Sequence, residues 1–315
     1  MTIDRVATNS QSQFMLSQIQ QAEIALDKTQ TQVTSGKVST TYAGIGDKTA
    51  MLEAARSASN RADSYQAATT LAVNQADLQD SQMSSLSDLA NQLRQAITKA
   101  VGDNDGSTLM TTVQGIFDQA SQILNSKDAN GNYLYGGDKN GQPPLTVSSL
   151  SDLTSLSSAS DAFQNGTIAN SVMVGDGQSI QVGMLASDVG GSLMQTLKEV
   201  ADFAAGPDGT FTDSLTDTQS SFLTGEITSA TTAATQVNNA AAANGNVYSQ
   251  LQDASANQKT MSTLFSGFVS NIEDVDMPTA ITQLNQNQVA LQAALQVTAQ
   301  LNQVSLLNYL PAPSG

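Results

Sequence analysis

The segment MPTAITQLNQNQVALQAALQVTAQLNQVSLLNYLPAPSG, residues 277–315, contains no Asp, Glu, Lys or Arg. Asp276 followed by Met277-Pro278 reads as a helix start, with the carboxylate as cap and Pro in the first turn. Ile281, Leu284, Leu291 and Leu295 then fall at heptad a/d spacing. A second apolar row, Ala290, Ala294, Val297, Leu301 and Val304, lies on another face, and the chain closes with Leu306-Leu307 and Leu310-Pro311. A helix with two apolar faces and no charge is poorly suited to the outside of a soluble monomer. The pattern predicts partners on both sides.

The opposite end of the chain carries a matching stripe. Ile19, Leu26 and Val33 stand seven apart, with Met15, Ala22 and Thr29 on the neighbouring row, and the pattern stops at Ser35-Gly36, where Gly suits a helix terminus. Two terminal helices of this kind can pair antiparallel. Ile19, Leu26, Val33, Ile281, Leu284, Leu291, Leu295, Val297, Leu301, Val304, Leu306 and Leu307 are therefore the expected subunit-contact residues. The competing assignment for each is the core of an ordinary intramolecular bundle.

Between these ends the helical period dominates. Residues 38–48 lose it and read as a loop, and residues 49–101 regain it with Leu52, Leu71, Leu78, Leu86, Leu89, Leu93 and Ile97 among many Ala. About 50 residues of helix would run about 75 Å, a length that belongs to elongated bundles. A turn at 102–106 leads to a shorter helix from Ser107 to Asn125. Residues 128–190 change character: Asn-Gly pairs at 130–131, 140–141 and 165–166, Pro143-Pro144, and β-prone runs at Asn132–Tyr135, Ser171–Val174 and Ser179–Val182 predict hairpins. Helix is expected again at 190–205 and 212–271. The predicted fold is mainly α: an elongated helical bundle or coiled-coil rod formed by the N- and C-terminal halves, with a small β-containing inserted domain. Its divisions are 1–37 plus 277–315 (terminal helices), 38–140 plus 190–276 (helical rod) and 141–189 (insert).

Composition narrows the function. The 315 residues include no Cys, no His and no Trp, with 12 basic against 28 acidic residues and a net charge of −16. Disulfides, zinc-finger sites, Ser-His-Asp triads and Cys nucleophiles are thereby excluded. The acidic balance disfavours duplex DNA and anionic membranes as partners. Residues 140–315 hold only Lys198 and Lys259 against 14 acidic groups, which reads as a solvated face that keeps the chain soluble. The Asp128-Asn130-Asn132 run has Gly131 at position four and Lys139 where a bidentate Glu belongs, so it fails the calcium-loop test. Asn165-Gly-Thr167 forms a lone glycosylation sequon, and Gly44-Ile-Gly46 lacks the third Gly of a dinucleotide loop. Nothing singles out a carboxylate pair for glycoside hydrolysis. No catalytic, metal or cofactor residues are expected. No apolar run long enough for a cleaved signal peptide or a membrane span is present, so neither is expected.

Leu26–Lys37 resembles the signature ending the first helix of bacterial flagellins and their hook-associated relatives, and the stretch Asp274–Leu284 running on to Ser305–Leu310 resembles the family's last helix. Tyr133-Leu-Tyr-Gly-Gly137 with Pro143-Pro144 resembles the hook-associated branch. The loop after Gly36 departs from the family's Ser-Asp-Asp-Pro-like cluster, reading Thr41–Lys48 without Pro. The resemblance implies a structural subunit that forms a ring joining hook to filament, in contact with copies of itself, a neighbouring hook-associated protein and flagellin. It also implies export through the flagellar type III apparatus to the cell exterior. An export chaperone at the C-terminal helix is expected from the uncharged 39-residue stretch. A filament flagellin is the alternative within the class. A surface binding protein on a flagellin scaffold, working through residues 145–190, is the alternative outside it, and Phe163 as that segment's single aromatic speaks against sugar stacking.

Overall fold

A computed structural model describes residues 2–307, with side chains from 10 to 300. Seven α-helices and one hairpin follow in order: α1 Thr2–Ser35, α2 Thr49–Asp103, α3 Leu109–Leu124, α4 Leu150–Ser155, β1 Ser171–Gly175, β2 Gln178–Gln181, α5 Ala186–Ala205, α6 Asp217–Glu273 and α7 Met277–Leu307. The fold is mainly α with a small two-stranded sheet in the middle of the chain. Two compact units divide it, residues 1–60 with 262–315, and residues 61–261. No helix among the described residues is long and apolar enough to cross a membrane.

In the first unit α1 and α7 lie against each other. Their orientation is antiparallel: Lys37 and Asp274 form an antiparallel bridge, Val38 N–H donates to Glu273 O at 2.7 Å, and Val275 N–H donates to Gly36 O at 2.9 Å. Gly36 ends α1 with φ +71, the left-handed conformation that favours glycine there. Pro278 sits in the first turn of α7, where its missing N–H removes no helical bond.

The second unit holds the main core. Met83, Leu86, Leu93 and Ile97 of α2, Val113, Ile116, Phe117 and Leu124 of α3, Val189, Leu193 and Leu197 of α5, and Leu223, Ala230 and Val237 of α6 form one buried cluster. Large side chains come mostly from α2, α3 and α5, while α6 contributes mainly Ala, which lets the backbones approach closely. Phe203, Phe211 and Phe222 stack in parallel, with centroids 5.8 and 4.0 Å apart.

The β1–β2 hairpin forms where the sequence has its β-prone runs, with Val172 opposite Ile180 and a bulge between Met173 and Gly175. Its two-residue turn is Asp176-Gly177, with Gly177 at φ +72, instead of any of the three Asn-Gly pairs. The first two of those pairs lie in local turns, and at the first Asp128 Oδ1 accepts from the Asn130 and Asn132 N–H groups; at the third, Gly166 N–H donates to the distant Gly136 O at 2.8 Å. Asn132–Tyr135 contributes a single bridge, Lys127 with Tyr133, in place of a strand. The hairpin packs its Val174 and Val182 on Ala72, Ala76 and Leu251. Tyr65 OH donates to Asp176 Oδ1 at 2.8 Å, and Gln258 Nε2 to Val174 O at 2.7 Å.

Candidate assembly surface

The paired helices α1 and α7 form a heptad seam. On α7 the half-buried or buried row is Ala280, Leu284, Asn287, Leu291, Ala294 and Thr298. On α1 it is Met15, Ile19, Ala22, Leu26, Thr29 and Val33. Of the expected contact residues, the structure thus places Ile19, Leu26, Val33, Leu284 and Leu291 in the seam between the chain's own ends. Ile281, Leu295 and Val297 lie off it, 45%, 49% and 47% exposed. The side chains of Leu301, Val304, Leu306 and Leu307 lie outside the described residues. Pairing leaves a second apolar surface open: Phe14, Leu16 and Ile24 on α1, and Ile281, Val289, Leu295 and Val297 on α7.

Residues that the sequence did not single out tie the corner where α1, α2 and α6 meet. The buried Glu273 accepts from Lys37 Nζ at 2.6 Å and from Arg56 Nη2 at 2.7 Å. Arg56 Nη1 also reaches Glu53 Oε1 at 3.3 Å, and Tyr42 OH donates to the same oxygen at 2.7 Å. Hydrogen bonds from Lys37 and then Arg56 hold the Glu273 carboxyl below its ordinary range, so this tie is complete above that range and is lost as pH falls. The tie borders a cleft of about 430 Å³, lined by Ser35, Ser39, Thr41, Tyr42 and Ile45 beside these charges. A sequence signal existed: Glu273 is the first residue of the acidic trio that precedes the 39 uncharged positions.

The second unit holds two further singular groups. Tyr135, from the aromatic-Gly-Gly segment, is fully buried, and burial pushes its phenol pKa up. Gly137 follows at φ +60, so close to the Ile168 carbonyl that a Cβ would meet it at 2.6 Å. Glu226 on α6, 8% exposed, has its pKa raised to about 7 by burial and by the charge of Glu199. No group of three or more metal-capable side chains occurs among the described residues.

A chain whose two ends pair antiparallel while leaving large apolar side chains exposed on both helices, one of them wholly uncharged, belongs to the class of helical assembly subunits. The description "Bacterial flagellin N-terminal helical region" matches residues 6–140, and "Bacterial flagellin C-terminal helical region" matches residues 227–310. This chain belongs to the bacterial flagellin family and is a structural protein of the flagellum, of the flagellin and hook-associated kind. Its fold is similar to that of a Vibrio parahaemolyticus protein described as a flagellar hook-associated protein, at 14% identity and TM-score 0.57, covering 72% of this chain and 97% of that one. Bacillus cereus FlgL is matched at 13% identity and TM-score 0.48, over 71% of this chain and 98% of that one. No curated protein matches the chain in sequence.

Proposed function

We propose that this protein is the hook–filament junction subunit, assembling with identical neighbours into a ring between the hook-side and filament-side subunits. The observation that carries the reading is the apolar face left open after α1 and α7 pair, on a chain that matches the flagellin family at both ends. Burying such a face against neighbours contributes roughly 25 cal/mol per Å², enough to offset ordering only when a partner supplies the other side. The junction, as against the filament, is supported by the likeness to the Vibrio protein described as hook-associated, and by the Tyr133–Gly137 segment, buried from Leu134 onward.

The interface comprises Ile281, Leu295 and Val297 on the open side, with Leu301, Val304, Leu306 and Leu307 further along the same uncharged stretch. Ile19, Leu26, Val33, Leu284 and Leu291 shape it from the seam. The functional division is terminal helices 1–37 plus 277–315, helical body 38–140 plus 190–276, and insert 141–189. The chain travels through the type III apparatus to the cell exterior, with an export chaperone holding residues 277–315 beforehand. A chain without Cys cannot be trapped by a disulfide on that route. Immunogold labelling of intact flagella with antibody against residues 141–189 tests the reading. A single band where hook meets filament is expected, and label along the whole filament would make the protein a flagellin.

A further inference from the structure

Among the apolar and small residues of the α1–α7 seam, one amide reaches across from α7 to α1. On α7, Asn287 stands between Leu284 and Leu291, and its Nδ2 donates to Ala25 O at 3.2 Å and to Thr29 Oγ1 at 3.3 Å. Thr29 is the one buried side chain of α1 among the described residues, at 5% exposed. Its hydroxyl donates to the Ala25 and Leu26 carbonyls at 3.0 Å, which leaves an oxygen lone pair for Asn287. The amide therefore has a partner in this register, whereas a heptad slip would carry it away from Thr29.

A polar side chain in an apolar seam costs stability, and such residues are retained where they fix register and choice of partner. The corner bonds at residues 36–38 and 273–275 already tether the near end of the pair within one chain. They do nothing for an α7 arriving from another copy, and Asn287 lies about three turns further along, where the seam alone sets alignment. We propose that Asn287, acting through Thr29, is the specificity residue of the terminal pair: it gives up stability so that α7 accepts α1 in one register and discriminates against misaligned pairing between copies. The proposal rests on the helix pair alone and holds for a junction or a filament subunit alike.

The test separates this role from a merely structural hydrogen bond. Replacing a structural hydrogen-bonding residue lowers stability; replacing a specificity residue by an apolar one raises it and loosens pairing. Ala22 and Leu291 both lie in the seam, each about one turn beyond the Ala25–Asn287 contact, and in a chain without Cys the variant A22C/L291C reports pairing by disulfide formation. In that background the disulfide should form within chains. Adding N287L should raise the melting temperature while the share of interchain disulfides grows by roughly tenfold, the discrimination one misplaced half-buried amide supplies. T29A, which removes the side-chain acceptor, keeps the Ala25 carbonyl and leaves α7 untouched, should raise the interchain share too. A lower melting temperature for N287L, or an unchanged interchain share in both variants, overturns the proposal.

Discussion

Glu226 shows how one residue can make stability depend on pH in a direction opposite to most carboxylates. It is 8% exposed, its Oε2 has no hydrogen-bond partner, and Glu199 on α5 adds like charge. Folding therefore raises its pKa from the ordinary 4.5 to about 7. A raised folded pKa means the protonated form suits the fold. The associated stability is fully present below pH 4.5 and is lost as pH rises through 7. Gln imitates the protonated acid, so E226Q should melt several degrees above the parent at pH 8, the upper bound being about 3 kcal/mol. The gap should close on titrating to pH 4.5. A gap independent of pH would mean that shape, and not charge, accounts for it. Glu273 has the opposite sign because two cations meet it.

At the scale of elements, α3 and α5 pack closely through a glycine. A Cβ at Gly190 would stand 2.5 Å from Cδ1 of Leu124, itself fully buried. Two effects compete in G190A. Alanine is the better helix former by about 1 kcal/mol, and overpacking a rigid core costs about 1–3 kcal/mol. Overpacking should win, lowering the melting temperature by a few degrees; an increase would show that Leu124 has room to move. The long helices themselves are legible from sequence because a 3.6-residue period accumulates over 50 positions, and the stop at Gly36 because glycine alone enters the left-handed region freely. The seam is only half legible. Ile281 and Leu295 share heptad spacing with Leu284 and Leu291, yet Ala280, Asn287 and Ala294 occupy the inner row, since small and polar residues fit a close antiparallel contact. The Glu273 corner joins residues up to 236 positions apart, a proximity that no local pattern encodes. The hairpin runs were readable, but its Asp-Gly turn competed with three Asn-Gly pairs whose flanks find no partner strand.

At the scale of the whole molecule, charge and apolar surface are divided between the units. Residues 61–261 carry seven basic against 20 acidic residues, a net −13, while the unit built from the chain ends carries −3 and residues 277–315 none. Self-repulsion in a polymer is thus carried mainly by the second unit, and the uncharged helix can pack against identical copies without electrostatic cost. Among the described residues, the core clusters of the second unit draw no residue from beyond Ala254. Deleting residues 277–315 should therefore leave that unit's cooperative melting within a few degrees of the full chain, measured by calorimetry. The same chain should lose polymerisation, scored by sedimentation and electron microscopy. Unit one would suffer most, because α1 would expose its whole seam, and an apolar stripe without a partner cannot offset the entropy of ordering a 34-residue helix. Loss of the second unit's transition would mean the two units fold as one. Polymers formed by the truncated chain would move the assembly surface away from α7.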